Sequence, residues 1–186
     1  MDSPAATPNL PLPHTWWAVP GRWLCGPFPG DRDPNHAALR IGTLLDAGIR
    51  AFINLQDEDE TNADGQYFLP YRNLARRLAK ERELGELFYL RCPVRDMDVP
   101  DARMMAWLLD QINALLAAEH PIYLHCWGGH GRTGTAVGCW LMEHLDDKRQ
   151  VFQELKRMRQ HDPYLGTFRC PQTQDQERFV RRWVRP

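Results

Sequence analysis

A cysteine and an arginine six residues apart, Cys126 and Arg132, with three glycines between them (Gly128, Gly129, Gly131), have the makings of a phosphoryl-transfer site. Glycines let a loop wrap tightly, so that successive backbone N–H groups can turn toward one anion. The apolar run 121–124 ahead of the cysteine reads as a buried strand, and 133–142 behind the arginine reads as a buried helix. The start of that helix adds free donors and positive potential. Arg132 can grip two phosphate oxygens with one planar fork, which the point charge of a lysine cannot do. The same surroundings favour the thiolate of Cys126, and a thiolate at the floor of a phosphate cradle is a nucleophile aimed at phosphorus. His125, Cys126 and His130 could instead be taken for metal ligands, but three ligands within six residues on a tight glycine loop make poor tetrahedral geometry. No metal and no cofactor is therefore expected. His130 is expected at the rim of the pocket, where its charge could tune affinity near neutral pH. Trp127 is expected to pack beneath or beside the loop, so that the whole segment 127–131 contributes to substrate binding.

The string His125-Cys126-Trp127-Gly128-Gly129-His130-Gly131-Arg132-Thr133 resembles the signature of the protein tyrosine phosphatase superfamily, H-C-x5-R-[S/T]. Its interior is most similar to the small dual-specificity members of the kinase-associated type. The resemblance runs from about residue 16 to 184 and implies several roles. His125 orients the loop rather than moving a proton. Thr133 donates a hydrogen bond to the Cys126 sulfur as it leaves the phosphoenzyme. A general acid must lie on a separate loop, because the departing alkoxide or phenolate has to be protonated as the P–O bond breaks. The segment Pro93-Val94-Arg95-Asp96-Met97-Asp98-Val99-Pro100-Asp101 resembles that acid loop, with Asp96 at the acid position thirty residues ahead of Cys126, and with Asp98 as its rival. Near the C-terminus, Gln172-Thr173-Gln174-Asp175-Gln176-Glu177-Arg178-Phe179 resembles the segment whose glutamines place the hydrolytic water. Gln172 and Gln176 would then share one helix face; the plainer reading is a polar first turn. The N-R-Y motif that deepens the pocket of the large tyrosine-specific enzymes has no counterpart beyond Tyr71-Arg72-Asn73, inside a predicted helix, so strict phosphotyrosine selectivity is not implied.

Such a loop needs a sheet behind it. Short strands are predicted within 16–25, at 50–55, at 87–92 and at 121–124, and helices at 34–47, 67–84, 101–119, 133–144, 148–161 and 171–184. Strands alternating with helices predict an α/β class, with a central mostly parallel sheet flanked by helices on both faces. The cysteine loop then lies between a central strand and a helix, at the carboxyl end of the strand, where such sheets bind ligands. Asp101 is expected to cap the helix that follows it. The acidic run 57–60 and the arginines between 72 and 82 are expected to pair as a solvated face.

With 186 residues the chain has the size of one domain, and 43% apolar content suffices for its core. A proline-rich disordered tail is expected at 1–13, ahead of a single phosphatase domain at 14–186. A net charge of −1 gives no pull toward nucleic acid or membrane. No apolar run is long enough to span a bilayer, and no secretory leader is visible. Five cysteines, one of them a thiolate nucleophile, fit a reducing cytoplasm, with Cys25, Cys92, Cys139 and Cys170 as small buried apolar residues. The expected activity is a dual-specificity protein phosphatase acting as a monomer on phosphorylated proteins or peptides. Two alternatives stand beside it. One is the same chemistry on an inositol phosphate or phosphoinositide, which the absence of lysine from the loop disfavours. The other is a non-catalytic phospho-binding module, disfavoured because cysteine, arginine and acid are all present.

Overall fold

The computed structural model describes residues 9–186; residues 1–8 of the expected 1–13 tail lie outside the described residues, and Leu10 and Leu12 pack partly against the core. Five strands form one sheet: β1 (Trp16–Val19), β2 (Trp23–Gly26), β3 (Ala51–Asn54), β4 (Phe88–Arg91) and β5 (Ile122–His125), in the order β1-β2-β5-β3-β4. Only β1 and β2 pair antiparallel; β2–β5, β5–β3 and β3–β4 are parallel. β5 thus sits in the middle, with its carboxyl end running into the cysteine loop.

The strands read as unbroken apolar runs because both sheet faces are covered. Alternate residues of one strand go to opposite cores. Ile122 and Leu124 of β5, with Ala51 and Ile53 of β3, enter the core made with α3 (Ala102–Ala117), α4 (Arg132–His144), α5 (Val151–Arg159) and α7 (Gln174–Arg181). Tyr123 and Phe52 enter the other core, made with α1 (Pro34–Asp46) and α2 (Arg72–Glu81). A short helix, α6 (Pro163–Gly166), follows α5.

Local chemistry sets the boundaries. The Asp33 carboxylate accepts from the backbone N–H of Asn35 at 2.8 Å, Pro34 occupies the first turn of α1, and Gly48 with φ +95 ends it. Asp101 caps α3 as expected, accepting from Arg103 N–H at 2.8 Å. Two predicted helices are shorter than expected. α2 begins at Arg72, because Pro70 drives the residue before it off helical geometry. Residues 60–70 instead form a surface loop closed by a bridge between Thr61 and Tyr67. α7 begins at Gln174, with Thr173 as its cap, so Gln172 stands outside the helix and the shared helix face is not formed. The acidic run does not pair with the arginines of α2. Arg82 pairs with Asp46 and Arg77 with Glu81, while Glu58 faces Arg91 and Glu60 turns inward.

Candidate active site

Residues 126–131 connect β5 to α4, and the turn is held to the sheet at both ends. The His125 carbonyl accepts from Leu55 N–H at 2.9 Å, and the Trp127 carbonyl accepts from Phe28 N–H at 2.8 Å. Gly129 has φ +75, and a Cβ there would lie 2.5 Å from the carbonyl carbon of Gly26 at the end of β2. Only glycine satisfies both the conformation and the approach.

Cys126 is buried, and Thr133 in the first turn of α4 donates its hydroxyl to the sulfur at 3.3 Å. His125 is fully buried as well. Its Nδ1 lies 3.0 Å from the Cys126 carbonyl and its Nε2 2.6 Å from the Tyr71 hydroxyl. Burial pushes its pKa down to about 3, so the ring is neutral. A neutral ring has one donor and one acceptor. Nδ1–H therefore donates to the Cys126 carbonyl and Nε2 accepts from Tyr71, whose own phenol burial holds protonated. A proton carrier this deep would have no route to solvent; a brace for the loop is what the geometry provides.

Arg132 is the centre of the site. Its side chain is 2% exposed. Nη1 donates to Glu60 Oε2 in a short contact and to the Val94 carbonyl at 2.9 Å. Nη2 donates to Glu60 Oε1 at 2.9 Å and to Asp96 Oδ1 at 2.8 Å. Burial works against the guanidinium charge, but Glu60, Cys126 and Asp96 more than offset this and leave it held above its ordinary value. The two carboxylates are not equivalent. Glu60 is 7% exposed and is held by Gln56, whose Nε2 donates to it at 2.9 Å. Asp96 is 41% exposed and faces solvent. Asp98 serves its own turn, accepting from Val99 N–H at 2.8 Å. So the structure brings Asp96, and not the Asp98 carboxylate, to the arginine.

Glu60 was missed by sequence reasoning, which left it in a solvated acidic run. The available signal was indirect: a buried arginine needs a buried anion, and the loop after a parallel strand is where one would come from.

His130 departs from expectation. It is 5% exposed rather than at the rim, stacks on Phe168 with centroids 4.4 Å apart, and its Nδ1 lies 3.2 Å from Arg159 Nη2. Burial first, then the Arg159 charge, lower its pKa to about 4, so it carries no charge near neutral pH. A ring folded beneath the loop also explains Gly128, where a Cβ would meet His130 Cδ2 at 2.9 Å. Trp127, by contrast, is exposed at the mouth, edge-on to Phe68 at 5.7 Å.

The two glutamines meet the loop at Gly131. A Cβ there would lie 3.0 Å from Gln176 Oε1 and 3.2 Å from Gln172 Oε1. Gln176 is fully buried and its amide is engaged. Oε1 accepts from the N–H groups of Gln172 and Thr173, each at 3.1 Å, and Nε2 donates to the Asp98 carbonyl at 3.0 Å. It therefore ties α7 to the acid loop.

Comparison with known proteins agrees with this geometry. Residues 31–146 match the family described as "Polymorphic toxin system, DSP-PTPase phosphatase". A putative tyrosine phosphatase of Invertebrate iridescent virus 3 is 28% identical over 77% of this chain; the chain spans 57% of that relative's length. Among solved structures, Tk-PTP in its active form superposes with a TM-score of 0.65 at 19% identity, over 91% of this chain and 95% of that one. Kinase-associated phosphatase follows with a TM-score of 0.61 at 15% identity, over 85% and 83%. The core catalytic domain of a PP-IP phosphatase from S. cerevisiae shares the fold equally, with a TM-score of 0.63 at 17% identity over 94% and 88%. No described helix is long and apolar enough to cross a membrane. The solved structures share the mostly parallel α/β fold, and the family match over more than half the chain identifies it as a member of the DSP-PTPase family, of the protein tyrosine phosphatase superfamily.

Proposed function

We propose that this chain is a dual-specificity protein phosphatase, hydrolysing phosphotyrosine and phosphoserine or phosphothreonine esters through a cysteinyl-phosphate. The observation that carries the reading is a buried cysteine and a partly exposed carboxylate beside one buried arginine: Cys126 Sγ accepts from Thr133 at 3.3 Å and acts electrostatically on Arg132, and Asp96 lies on Arg132 at 2.8 Å. In the first step Cys126 Sγ attacks phosphorus, the S–P bond forms and the P–O ester bond breaks. The incoming phosphoryl group takes the Arg132 hydrogen bond that the Asp96 carboxylate held, and Asp96, taking up a proton from water as it leaves the arginine, passes that proton to the leaving oxygen. In the second step Asp96 takes a proton from water, which attacks phosphorus as the S–P bond breaks, and the Thr133 hydroxyl supports the departing sulfur. Gln176 holds the acid loop in place, which leaves Gln172 to orient the water.

A protein substrate suits the charge of the site better than an inositol polyphosphate. Arg132 is the one cation between His125 and Thr133, and it already faces two carboxylates. An inositol polyphosphate needs a cation for each further phosphate and the loop offers none beyond Arg132, whereas a single phosphate on a peptide needs only the place that Asp96 gives up. The deciding experiment is a kinetic panel of phosphotyrosine and phosphothreonine peptides against soluble inositol phosphates. The reading requires kcat/KM on both peptide classes to exceed that on every inositol phosphate; the reverse order would refute it.

A further inference from the structure

Next to the catalytic loop lies a hollow that the hydrolysis itself does not need. Its volume is about 210 Å³; Phe28, Tyr67, Phe68 and Leu69 give its apolar wall, and the charged Asp31 and Arg32 line it with the amides of Asn62 and Gln66. Two contacts join it to the nucleophile. The Phe68 ring packs edge-on against Trp127, the residue after Cys126, and Phe28 donates its N–H to the Trp127 carbonyl. Phe28 and Phe68 also meet edge to face at 4.9 Å, which stiffens the wall between them. Trp127, Tyr67 and Leu69 nevertheless remain 36%, 62% and 46% exposed. Large apolar side chains left in water beside a reaction centre cost stability and mark a binding surface.

We infer that this hollow is a specificity subsite that takes one apolar side chain, aromatic or large aliphatic, from a residue close to the phosphorylated one in a peptide substrate. The inference rests on the protein-phosphatase reading above and narrows it. Three observations support the occupant. The Phe68 wall of the hollow is in ring contact with Trp127, the residue after Cys126, so a chain leaving the site on that side passes over it. The volume suits a single ring, since a dry cavity of about 150 Å³ already accepts benzene. The Arg32 guanidinium and the Gln66 side-chain NH₂ in its wall suit a peptide backbone, which needs polar partners where its side chain enters. A lipid surface is disfavoured, because anionic membranes are met by clusters of lysine and arginine, and the same loop instead carries Asp57, Glu58 and Asp59.

The loop that builds the hollow also reaches the catalytic arginine. Glu60 stands on Arg132 at one end, and Phe68 N–H returns to the Glu60 carbonyl at 3.4 Å at the other. A side chain held in the subsite therefore presses on the segment that backs Arg132.

The test compares two phosphothreonine peptides, one flanked by alanines and one with phenylalanine within two residues of the phosphothreonine. Each is measured both as a substrate and as a competitor of p-nitrophenyl phosphate hydrolysis, in the wild-type chain and in Phe68→Ala and Leu69→Asn. Leu69 is surface-exposed, so its variant keeps the test valid if Phe68→Ala folds poorly. The wild type should favour the phenylalanine peptide by roughly 10–100-fold in kcat/KM and in inhibition constant, as expected for burying one ring. Both variants should shrink that ratio, Phe68→Ala to near one. A wild-type ratio near one, or a ratio that neither variant changes, overturns the subsite. Competition reads the subsite even if neither peptide is turned over, whereas absent turnover counts against the functional reading alone. If the preference appears instead for phosphoinositide in vesicles over its soluble head group, and Phe68→Ala removes it, the occupant is an acyl chain and the peptide assignment is wrong.

Discussion

Glu60→Ala should cost this protein both stability and rate. The Glu60 carboxylate meets both terminal nitrogens of Arg132, with the two side chains 7% and 2% exposed. Removing one partner of a buried ion pair costs about 3–5 kcal/mol when the other charge is left uncompensated. Here Asp96 and the Val94 carbonyl stay with Arg132, so about half of that, ~2 kcal/mol, is expected in urea denaturation. The effect on rate follows from geometry. Without Glu60 the guanidinium keeps its charge and loses its fixed plane, and losing one preorganised donor of an anion hole typically costs about 10²–10³ in kcat. Glu60→Gln retains an acceptor and should lose closer to tenfold. Phosphate affinity should move the other way, because a negative charge beside the anion site has been removed. Steady-state kinetics on p-nitrophenyl phosphate, with inorganic phosphate as competitor, reads both quantities. A Glu60→Ala enzyme whose kcat stays within about twofold of wild type would refute the reasoning.

Asp96→Asn should lower kcat on phosphopeptides by about 10²–10⁴-fold and much less on an aryl phosphate with a good leaving group, while Asp98→Asn should show no such dependence; the opposite pattern would name Asp98 as the acid. Gly129→Ala forces an alanine to φ +75 against the Gly26 carbonyl, so it should lose at least about 1–2 kcal/mol of stability from the backbone alone, together with activity; an unchanged melting curve would contradict the close approach. His125 and His130 are held neutral, with pKa values lowered to about 3 and about 4, while the unfolded chain protonates them near 6.5. Their contribution to stability is complete above pH 6.5 and is lost as pH falls toward those folded values, at about 1.4 kcal/mol per histidine per pH unit. His130→Leu should therefore flatten the fall in unfolding free energy between pH 6.5 and 4.5; an identical slope in both proteins would dismiss the buried neutral ring.

Much of this site was legible because its chemistry is local in sequence. Cys126, Arg132 and Thr133 lie on one strand–loop–helix turn, where spacing alone dictates proximity. The alternation of strands and helices likewise fixed the α/β class, since period and turn residues are short-range signals. What the sequence did not give depends on contacts between distant segments. Nothing near Glu60 says that it folds back onto an arginine 72 residues later. His130 looked like a rim residue because its partners, Arg159 and Phe168, come from α5 and the segment after α6. Helix register misled for Gln172 and Gln176, because the Thr173 capping box starts the helix between them. Their side chains still converge on Gly131, through the fold of the preceding turn rather than along a helix face.

The central claim is that Cys126 carries the phosphoryl group in a covalent intermediate. Acid quenching during turnover of p-nitrophenyl phosphate, followed by proteolysis and mass spectrometry, tests it directly. The account predicts one added phosphoryl group on the peptide containing Cys126, none in the Cys126→Ser protein, and no turnover in that variant despite retained phosphopeptide binding. Full activity in Cys126→Ser, or the phosphoryl group on any other residue, would contradict it.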